Sequence, residues 1–272
     1  MPTPLAIARD AALAGGAILS QRTGTVGEVR SKTSATDFVT DTDIVAGIAT
    51  VRAILAHDPR ARVVVEEPEV CEQLGIEPGS LLDDDAVWVI DPLDGTTSYL
   101  HGFPCYSVAV ALVRGGEPVA GAVYNAALRE LASAAKGAGA MLNDAPIRCS
   151  DAQRVQDALV VTGFPYDRGA PLDRQLAVLT AFLRAPVHGI RRDGSAAIDC
   201  CHVAMGRADG YWEYYLKPWD MAAGSLICEE AGAVATDVSG DPWTVDSESI
   251  CVANPSLHAA MLAVIREAER GF

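Results

Sequence analysis

The sequence predicts an α/β protein, in which strand-like and helix-like segments alternate. Residues 87–90 form a short apolar run rich in β-branched side chains, which is typical of a buried strand. From about residue 148 onward, the pattern alternates strand, helix, strand and helix, near residues 158–161, 172–183, 187–191 and 195–205. The chain has 272 residues, half of them hydrophobic, which is enough to bury a substantial core in one or two domains.

Helical patterns dominate the start of the chain. The first 23 residues follow an Ala/Leu pattern interrupted by charged residues, which indicates an amphipathic helix and not a signal peptide. Residues 41–57 have helical apolar spacing, with Thr40 or Asp41 as the N-cap. Residues 68–85 mix Pro, Gly and acidic residues, so we expect an exposed excursion there. The aspartate run within it is expected to be solvated and not to bind metal.

The middle of the chain predicts a hairpin. Residues 106–113 and 118–124 are strand-like and are joined by Arg-Gly-Gly-Glu, and a meander is expected to follow through Met141. At the other end, residues 255–269 have Pro in the first turn and apolar residues at helical spacing. This segment is expected to pack as a terminal helix.

The most informative stretch is residues 88–99, Trp-Val-Ile-Asp-Pro-Leu-Asp-Gly-Thr-Thr-Ser-Tyr. A strand that ends in Asp91 and Asp94, with the Leu93 carbonyl between them, offers the oxygen ligands that Mg²⁺ prefers. Gly95 allows the backbone to approach a ligand closely. If Gly95-Thr96-Thr97 opens a helix, its free N–H groups favour an anion at the same place. An isolated Asp-Pro-x-Asp could instead be a capped turn.

Further carboxylates follow other predicted elements. The strand-like residues 62–67 end in Glu66 and Glu67, and Asp220 lies at the start of an apolar helix. Each has an ordinary alternative, since the two glutamates could be solvated and Asp220 could be an N-cap. Acidic groups from separate elements are also how a multi-metal hydrolase clamps a phosphoryl group.

Taken together, these motifs resemble the inositol monophosphatase family of magnesium-dependent, lithium-sensitive phosphatases. The matching blocks occur in the family's order. They are Lys32-Thr-Ser-Ala-Thr-Asp37-Phe-Val-Thr-Asp41-Thr-Asp43, the Glu66-Glu67 pair, Asp91-Pro-Leu-Asp94-Gly-Thr96, Gly194-Ser-Ala-Ala197, Gly210-Tyr-Trp-Glu213 and Pro218-Trp-Asp220.

The resemblance implies a role for each matching residue. Two or three Mg²⁺ ions would be bound by Glu66, Asp91, the Leu93 carbonyl, Asp94 and Asp220. Asp43 and Thr96 would orient the attacking water, with Glu66 assisting as base. The substrate contacts implied are Asp94, Gly95, Thr96, Ala196, Glu213 and Asp220, with backbone N–H groups of Gly95 and Thr96 on the phosphate and with Ala196 and Glu213 near inositol hydroxyls. Lys32 would offset the dense negative charge.

The resemblance also implies alternating α-β-α-β-α layers and a homodimer. We expect residues 1–147 to form an N-terminal α+β subdomain carrying most of the metal ligands, and residues 148–272 to form a C-terminal α/β subdomain carrying Asp220 and substrate contacts. The chain departs from the family pattern at Val65, Ser98, Tyr99 and Asp144. None of these departures removes a metal ligand, so they bear on loop geometry and substrate preference.

Composition narrows the possible partners and location. The chain has 36 acidic and 21 basic residues, and its net charge of −15 repels nucleic acid and anionic membranes. The charge therefore favours a small substrate, with no nucleic-acid or membrane partner, and the family resemblance implies that this substrate is a phosphorylated polyol or sugar. No apolar stretch is long enough to span a bilayer, so a cytoplasmic location is expected. The seven cysteines show no Cys-x-x-Cys pattern and are expected to be reduced, with Cys200, Cys201 and Cys228 in the core.

The leading functional hypothesis is hydrolysis of inositol 1-phosphate by a metal-activated water. The same chemistry on histidinol phosphate, fructose 1,6-bisphosphate or adenosine 3′,5′-bisphosphate stays open, although the charge of Glu213 suits a polyol hydroxyl better than a second phosphate. A non-catalytic binding or regulatory module is a distant alternative. A zinc site built from His101, His188 and His202 is disfavoured, because their neighbours lack ligand spacing.

Overall fold

A computed structural model of the chain describes residues 2–24, 29–31 and 38–270. Within these residues the chain forms eight α-helices, which are α1 Pro4–Arg22, α2 Asp41–His57, α3 Pro68–Leu74, α4 Thr96–Leu100, α5 Ala170–Arg184, α6 Ala196–Ala204, α7 Pro218–Glu230 and α8 Pro255–Glu269. None of these eight combines the length and the apolar character needed to cross a bilayer.

A small ribbon and a large sheet come from the first half of the chain. The ribbon pairs β1 Val29–Ser31 with β2 Phe38–Thr40. The large sheet has seven strands, ordered as they occur in the chain. They are β3 Val63–Val65, β4 Ala86–Asp94, β5 Ser107–Arg114, β6 Glu117–Asn125, β7 Glu130–Ala135, β8 Ala140–Leu142 and β9 Ala145–Pro146. The first pair is parallel and the others form an antiparallel meander.

The second half of the chain forms a five-stranded mixed sheet. Its strands are β10 Leu159–Thr162, β11 Gly189–Arg191, β12 Gly210–Tyr214, β13 Val234–Thr236 and β14 Ser249–Ala253. Their spatial order is β11-β10-β12-β14-β13. β10 is parallel to both of its neighbours, whereas β14 is antiparallel to both of its own. The two sheets fall on either side of residue 147, and the proposed division into two subdomains stays a prediction.

Three apolar cores hold five layers together, and the largest of them lies on both sides of the central helices α6 and α7. Helices α1 and α2 pack on one face of the large sheet, and α7 packs on its other face beside α6. Helix α6 also contacts the small sheet, whose far face is covered by α5 and α8. The order of layers is therefore α-β-α-β-α, as the sequence resemblance implied.

Most predicted elements are confirmed. The helix predicted over residues 41–57 has these bounds, and the Thr40 hydroxyl caps it by accepting from the N–H of Thr42. The terminal helix over residues 255–269 and the predicted hairpin are also present. All seven cysteines are free, and Cys200, Cys201 and Cys228 are buried as expected.

The prediction of an exposed excursion over residues 68–85 is wrong in part. Its first seven residues form helix α3, which has Pro68 in its first turn and Gly75 at φ 65° as its C-cap. Val70 and Cys71 on this helix are buried against the core formed with α2. Only the later residues lie in an exposed loop, where Asp84 accepts from the backbone N–H of Ser80 and pairs with Arg62.

The departures from the family pattern have defined contacts. The Tyr99 hydroxyl donates to the Leu19 carbonyl, which ties α4 to α1. The Ser98 hydroxyl donates to the Asp193 carbonyl, which ties α4 to the loop before α6. Asp144 adopts φ 68° and pairs with Arg9 at 2.5 Å. These side chains therefore stabilise connections around the candidate site or at the surface, and none replaces a predicted metal ligand.

Candidate active site

The parallel pairing of β3 and β4 brings two carboxylates side by side. Val65 is paired with Ile90, so the next residues along the strands are Glu66 and Asp91. The Glu66 N–H donates to the Ile90 carbonyl at 3.1 Å, which extends the pairing by one step. Two residues 25 positions apart therefore reach the same edge of the sheet because of strand register, which neither local sequence displays by itself.

A bulge follows at Pro92 and Leu93. The pairing of β4 with β5 shifts register between Asp91 and Asp94. A bulge tolerates Pro92, which has no N–H to donate to the sheet. The Leu93 N–H donates to Oδ1 of Asp91 at 2.9 Å. The bulge also exposes the Leu93 carbonyl to the hydroxyl of Thr96, 3.1 Å away.

Gly95 forms the turn from β4 into α4. Its φ is 89°, a left-handed conformation that favours glycine. A Cβ atom here would lie 2.7 Å from the Cys105 carbonyl oxygen and 3.0 Å from that of Gly194. Conformation and space therefore both require glycine, and Gly95 and Thr96, at the start of α4, line the pocket described below.

Asp94 is fixed by the N-terminus of α6. Its Oδ2 accepts from the Ser195 hydroxyl at 2.6 Å and from the Ala197 N–H at 2.8 Å. Burial raises the pKa of Asp94 to about 6, while these hydrogen bonds act in the opposite direction by stabilising the carboxylate. The large sheet and the start of α6 therefore meet at this carboxylate.

Asp43 is buried in the first turn of α2 and lies behind Thr96. Its Oδ2 accepts from the N–H and the hydroxyl of Thr40, so Thr40 and Asp43 form a capping box. Its Oδ1 lies 3.2 Å from the Thr96 hydroxyl, which donates to it. The orientation of the Thr96 hydroxyl is thus set by a side chain that is itself held in place.

Asp220 reaches the same region from the first turn of α7. Its Oδ2 accepts from the Lys217 N–H at 2.7 Å, so it caps the helix while it lies in the pocket wall. Burial raises the pKa of Asp220 well above its usual value, and the carboxylates of Glu66 and Asp94 raise it further. The sequence suggested two roles for Asp220, a helix cap and a metal ligand. Its position is compatible with both.

The acidic groups share a pocket of about 340 Å³. Among the residues lining it are Glu66, Asp91, Leu93, Asp94, Gly95, Thr96, Ala196, Glu213 and Asp220. Burial raises the pKa of Asp91 well above its usual value, and the charges of Glu66, Asp94 and Asp220 add to this effect. Because converging carboxylates repel one another and offer only oxygen donors, this set fits hard divalent cations such as Mg²⁺.

Glu213 lies in the same pocket, on strand β12 of the small sheet. Its Oε2 accepts from the Tyr211 hydroxyl at 2.7 Å. Burial raises the pKa of Glu213 to about 7. A Cβ at Gly163 would lie 2.0 Å from a carboxylate oxygen of Glu213, so glycine there leaves the space that this side chain occupies.

Comparison with known proteins agrees with this geometry. A sequence model described as "Inositol monophosphatase family" matches residues 3–270. The chain belongs to this family. It is therefore a phosphatase of the inositol monophosphatase family, which is metal-dependent, typically on Mg²⁺.

Several family members are similar over most of their length. The inositol-1-monophosphatase of Synechocystis is 38% identical over 95% of this chain and 87% of its own. The Vibrio cholerae protein named Nus factor SuhB is 38% identical over 85% and 83%. A protein of Aquifex aeolicus named fructose-1,6-bisphosphatase/inositol-1-monophosphatase is 38% identical over 97% and 95%.

Solved structures of the family share the fold. The extragenic suppressor protein suhB of Bartonella henselae has a TM-score of 0.86 and 33% identity, covering 96% of this chain and 98% of its own. The inositol monophosphatase of Anabaena has a TM-score of 0.82 and 34% identity, covering 97% and 95%. These matches place this phosphatase in the family over its whole fold and leave its substrate open.

The structure of the phosphatase brings together nearly all residues that the sequence singled out. Asp43 reaches the pocket through Thr96, and the others line it directly. Glu67 is buried at the start of α3 and does not line the pocket. Lys32 lies outside the described residues, so its proposed role stays a prediction.

Sequence reasoning missed several residues of the pocket. Arg192 and Lys217 line it, as does Ser195, which holds Asp94. Aromatic side chains at its mouth include Phe38, Tyr166 and Tyr215. Ser195 and Phe38 stand in blocks that the sequence had already marked, beside Ala196 and Asp37. The others come from loops and strand ends, whose approach depends on tertiary packing.

The expectation that no histidine has neighbours at ligand spacing is wrong for His202. Among the described residues, His202 lies close to Asp193 and Asp199. His101 and His188 belong to no such group in the described part of the chain. The three histidines therefore do not form the zinc site that was considered, and His202 has acidic neighbours instead.

Proposed function

We propose that this phosphatase is a magnesium-dependent enzyme that hydrolyses inositol 1-phosphate to inositol and phosphate. The observation that carries the proposal is the position of Glu213 in one pocket with Glu66, Asp91, Asp94 and Asp220. The four carboxylates suit cations that bind phosphate, and Glu213 offers a charged acceptor for hydroxyl groups. A phosphorylated polyol presents both kinds of partner.

Two or three Mg²⁺ ions are the proposed cofactor. Their ligands would be Glu66, Asp91, the Leu93 carbonyl, Asp94 and Asp220. Bound Mg²⁺ would supply Lewis-acid stabilisation of phosphoryl and leaving-group oxygens and would lower the pKa of bound water below its value of ~16 in bulk. The observed convergence of carboxylates from β4, α7 and the end of β3 supports this ligand set.

Thr96 and Asp43 are proposed to orient the attacking water. Asp43 accepts the Thr96 hydroxyl hydrogen, which leaves the lone pairs of that oxygen free to accept from water. Glu66 is proposed to take a proton from the water as base, while the water oxygen attacks phosphorus in line and the P–O ester bond breaks. The inositol oxygen leaves with the electron pair of that bond and takes a proton from solvent water. The N–H groups of Gly95 and Thr96, at the start of α4, would hold the phosphate oxygens. Lys32 is proposed to offset negative charge.

Glu213 and Ala196 are proposed to contact inositol hydroxyls, and Asp94 and Asp220 to contact substrate from the metal side. The charge on Glu213 disfavours a second phosphate nearby, so a monophosphate is preferred over fructose 1,6-bisphosphate or adenosine 3′,5′-bisphosphate. Histidinol phosphate is the closest competitor, because its amine could pair with the same carboxylate.

A cytoplasmic homodimer without nucleic-acid partners is the proposed physiological form. The net charge of −15 supports the absence of nucleic-acid binding, because the phosphate backbone would be repelled. The Vibrio cholerae relative is named a Nus factor. That name describes the relative and is not transferred to this chain. Analytical sedimentation would test the proposed homodimer, and filter binding with RNA would test the proposed absence of nucleic-acid binding. Both measurements are independent of catalysis.

A panel of phosphate monoesters tests the proposed substrate. Phosphate release would be measured with Mg²⁺, with Zn²⁺ and with chelator, on inositol 1-phosphate, histidinol phosphate, the two bisphosphates and an aryl phosphate. We expect the highest kcat/KM for inositol 1-phosphate with Mg²⁺, and no turnover with chelator. A higher kcat/KM for a bisphosphate, or full activity in chelator, would contradict the proposal.

A further inference from the structure

A second group of potential metal ligands lies beside the active site and shares none of its proposed ligands. Asp193 is in the loop between β11 and α6, and Asp199 and His202 are on α6. One carboxylate oxygen from each aspartate and one ring nitrogen of His202 all lie within 4.8 Å of one another. We refer to these three residues as the α6 cluster.

The local sequence places the three side chains together. Asp199 and His202 are three positions apart on a helix, so they project from the same face. Asp193 precedes the N-cap Ser195 by two positions, with Gly194 between them at φ 96°. The Ser98 hydroxyl also donates to the Asp193 carbonyl, which fixes the loop from the other side. The cluster is thus built on a helix and an anchored loop.

Asp199 has an unusual environment for a carboxylate. Its side chain is 1% exposed, and neither of its two oxygens has a hydrogen-bond partner among the described residues. Buried carboxyl groups nearly always accept hydrogen bonds, because desolvation without compensation is costly. The positive charge of Arg192 interacts electrostatically with Asp199, but the Arg192 guanidinium donates no hydrogen bond to it. A cation in contact with these oxygens would supply what the protein does not.

The spacing between the other two ligands also favours an ion. Nδ1 of His202 lies 3.8 Å from Oδ2 of Asp193. This separation is too long for a hydrogen bond. Two ligands on one tetrahedral zinc ion, with bonds of ~2.0–2.2 Å, lie about 3.3 Å apart, so a shift of roughly half an ångström would bring this pair to that separation. His202 and Asp193 are both partly exposed, which gives an ion access to the cluster.

We propose that the α6 cluster binds a first-row transition-metal dication, such as Zn²⁺, through Asp193, Asp199 and His202. The imidazole nitrogen distinguishes this site from the all-oxygen set in the active-site pocket, because imidazole suits zinc and its neighbours better than Mg²⁺. Two carboxylates and one neutral imidazole would leave a fourth position for water.

The bound ion would connect the loop before α6 to the helix itself. This connection contains Ser195, and the first turn of α6 contains Ala197, which together hold Asp94 by two hydrogen bonds. Occupancy of the α6 cluster would therefore make the orientation of Asp94 more rigid. The proposal concerns metal binding outside the active-site pocket and does not rest on the proposed substrate.

Equilibrium dialysis against Zn²⁺ tests the proposal on the full chain. The protein would first be stripped with chelator and then dialysed in excess Mg²⁺, with bound zinc measured by atomic emission. We expect one Zn²⁺ per chain, and at least tenfold weaker binding in His202→Ala and in Asp193→Asn. Asp193 lies in a loop, so Asp193→Asn should still fold. It therefore provides a test of zinc binding even if His202→Ala does not fold.

Two control variants locate the ion. His188→Ala removes an exposed histidine that belongs to no such group in the described part of the chain, and Asp91→Asn removes a proposed ligand of the active-site pocket. Both should bind Zn²⁺ as the unmodified chain does. Unchanged zinc binding in His202→Ala, or loss of zinc in Asp91→Asn, would overturn the proposal. Substitution with Co²⁺ gives a second readout, because its visible absorption should change in Asp193→Asn and stay unchanged in Asp91→Asn.

Discussion

The hydroxyl of Thr96 donates to Oδ1 of Asp43 across 3.2 Å, although the two residues are 53 positions apart in the chain. Asp43 is held in turn by Thr40 through the capping box of α2. The start of α4 and the start of α2 are therefore coupled by one hydroxyl group. The Leu93 carbonyl oxygen, 3.1 Å from the same hydroxyl, is also an acceptor. Because both neighbours accept, the Thr96 hydroxyl is fixed as a donor, and its lone pairs remain available to a water molecule.

Replacement of Thr96 by Val tests this relationship, because it keeps the approximate volume and removes the hydroxyl. We expect kcat to fall by about 10²-fold or more while KM changes little, since positioning of a reactant contributes mainly to the transition state. Steady-state kinetics on inositol 1-phosphate would measure both constants. Thr50→Val is a matched control, because Thr50 is also buried but donates within α2 to the Ala46 carbonyl. A change confined to KM would make Thr96 a binding residue instead.

Replacement of Glu213 by Gln should lower kcat/KM by an amount that depends on the substrate. The change keeps size but removes the charge, so kcat/KM for inositol 1-phosphate should drop about 10- to 150-fold, corresponding to ~1.5–3 kcal/mol for a charged hydrogen bond. An aryl phosphate without hydroxyls should be hydrolysed nearly as before. Because burial raises the pKa of Glu213 to about 7, the loss should grow between pH 6 and pH 8, as the unmodified side chain ionises. Equal losses on both substrates would assign Glu213 to the fold or the metal site.

Replacement of Gly95 by Ala should damage both stability and activity. The left-handed φ disfavours a Cβ, and the Cys105 carbonyl oxygen would lie only 2.7 Å from it. We expect a loss of roughly 2–5 kcal/mol in the free energy of unfolding, from strain and overpacking together, and little residual turnover. Gly116→Ala is the control, because Gly116 has φ 80° with no atom within 4 Å of the added Cβ. It should lose only about 1 kcal/mol and keep full activity. Similar unfolding curves for the two variants would count against crowding at Gly95.

The stability of the metal-free protein should decrease as pH rises from about 4 to 8. Burial raises the pKa of Asp94 to about 6 and that of Glu213 to about 7, above their usual values of 3.8 and 4.5. The folded state therefore holds these protons more tightly than the unfolded state, and their contribution is present at low pH and lost as pH passes through 6 and 7. Melting temperatures in chelator should fall by several degrees over this range.

Addition of Mg²⁺ should reverse most of that decrease at pH 7.5, because cations in the pocket compensate the ionised carboxylates. Differential scanning calorimetry at matched ionic strength would separate this effect from general screening, with Na⁺ as the control cation. A melting temperature in chelator that rises steadily from pH 4 to 8 would contradict the assigned environment of these two carboxylates.

The sequence was sufficient for elements whose signal is local. Thr40 before an apolar helical repeat marked the start of α2, and Pro255 marked the start of the last helix. Asp91, Asp94 and Gly95 were found because the strand, the carboxylates and the turn follow one another directly in the chain. The family resemblance then supplied the layer order, which periodicity by itself does not encode.

The sequence did not predict the features that depend on tertiary contacts. Helix α3 was missed because its seven residues gain stability mainly by burying Val70 and Cys71, and a window this short carries little periodic signal. Arg192 and Lys217 were missed because only the packing of the small sheet and α7 against the large sheet brings them to the pocket. The α6 cluster was missed because Asp193 lies outside the helix that carries its two partners.

The most direct test of the account is the activity of Asp91→Asn with inositol 1-phosphate and Mg²⁺. Asp85→Asn, which changes an exposed carboxylate just before the same strand, is the control. Loss of one charge from the buried carboxylate set should lower kcat/KM at least ~10³-fold, because the bound cations supply several kcal/mol of transition-state stabilisation. In chelator, Asp91→Asn should melt no lower than the unmodified chain at pH 7.5, since it relieves repulsion with Glu66, Asp94 and Asp220. Turnover close to that of the unmodified chain, in a folded Asp91→Asn protein, would contradict the metal-dependent mechanism proposed for this pocket.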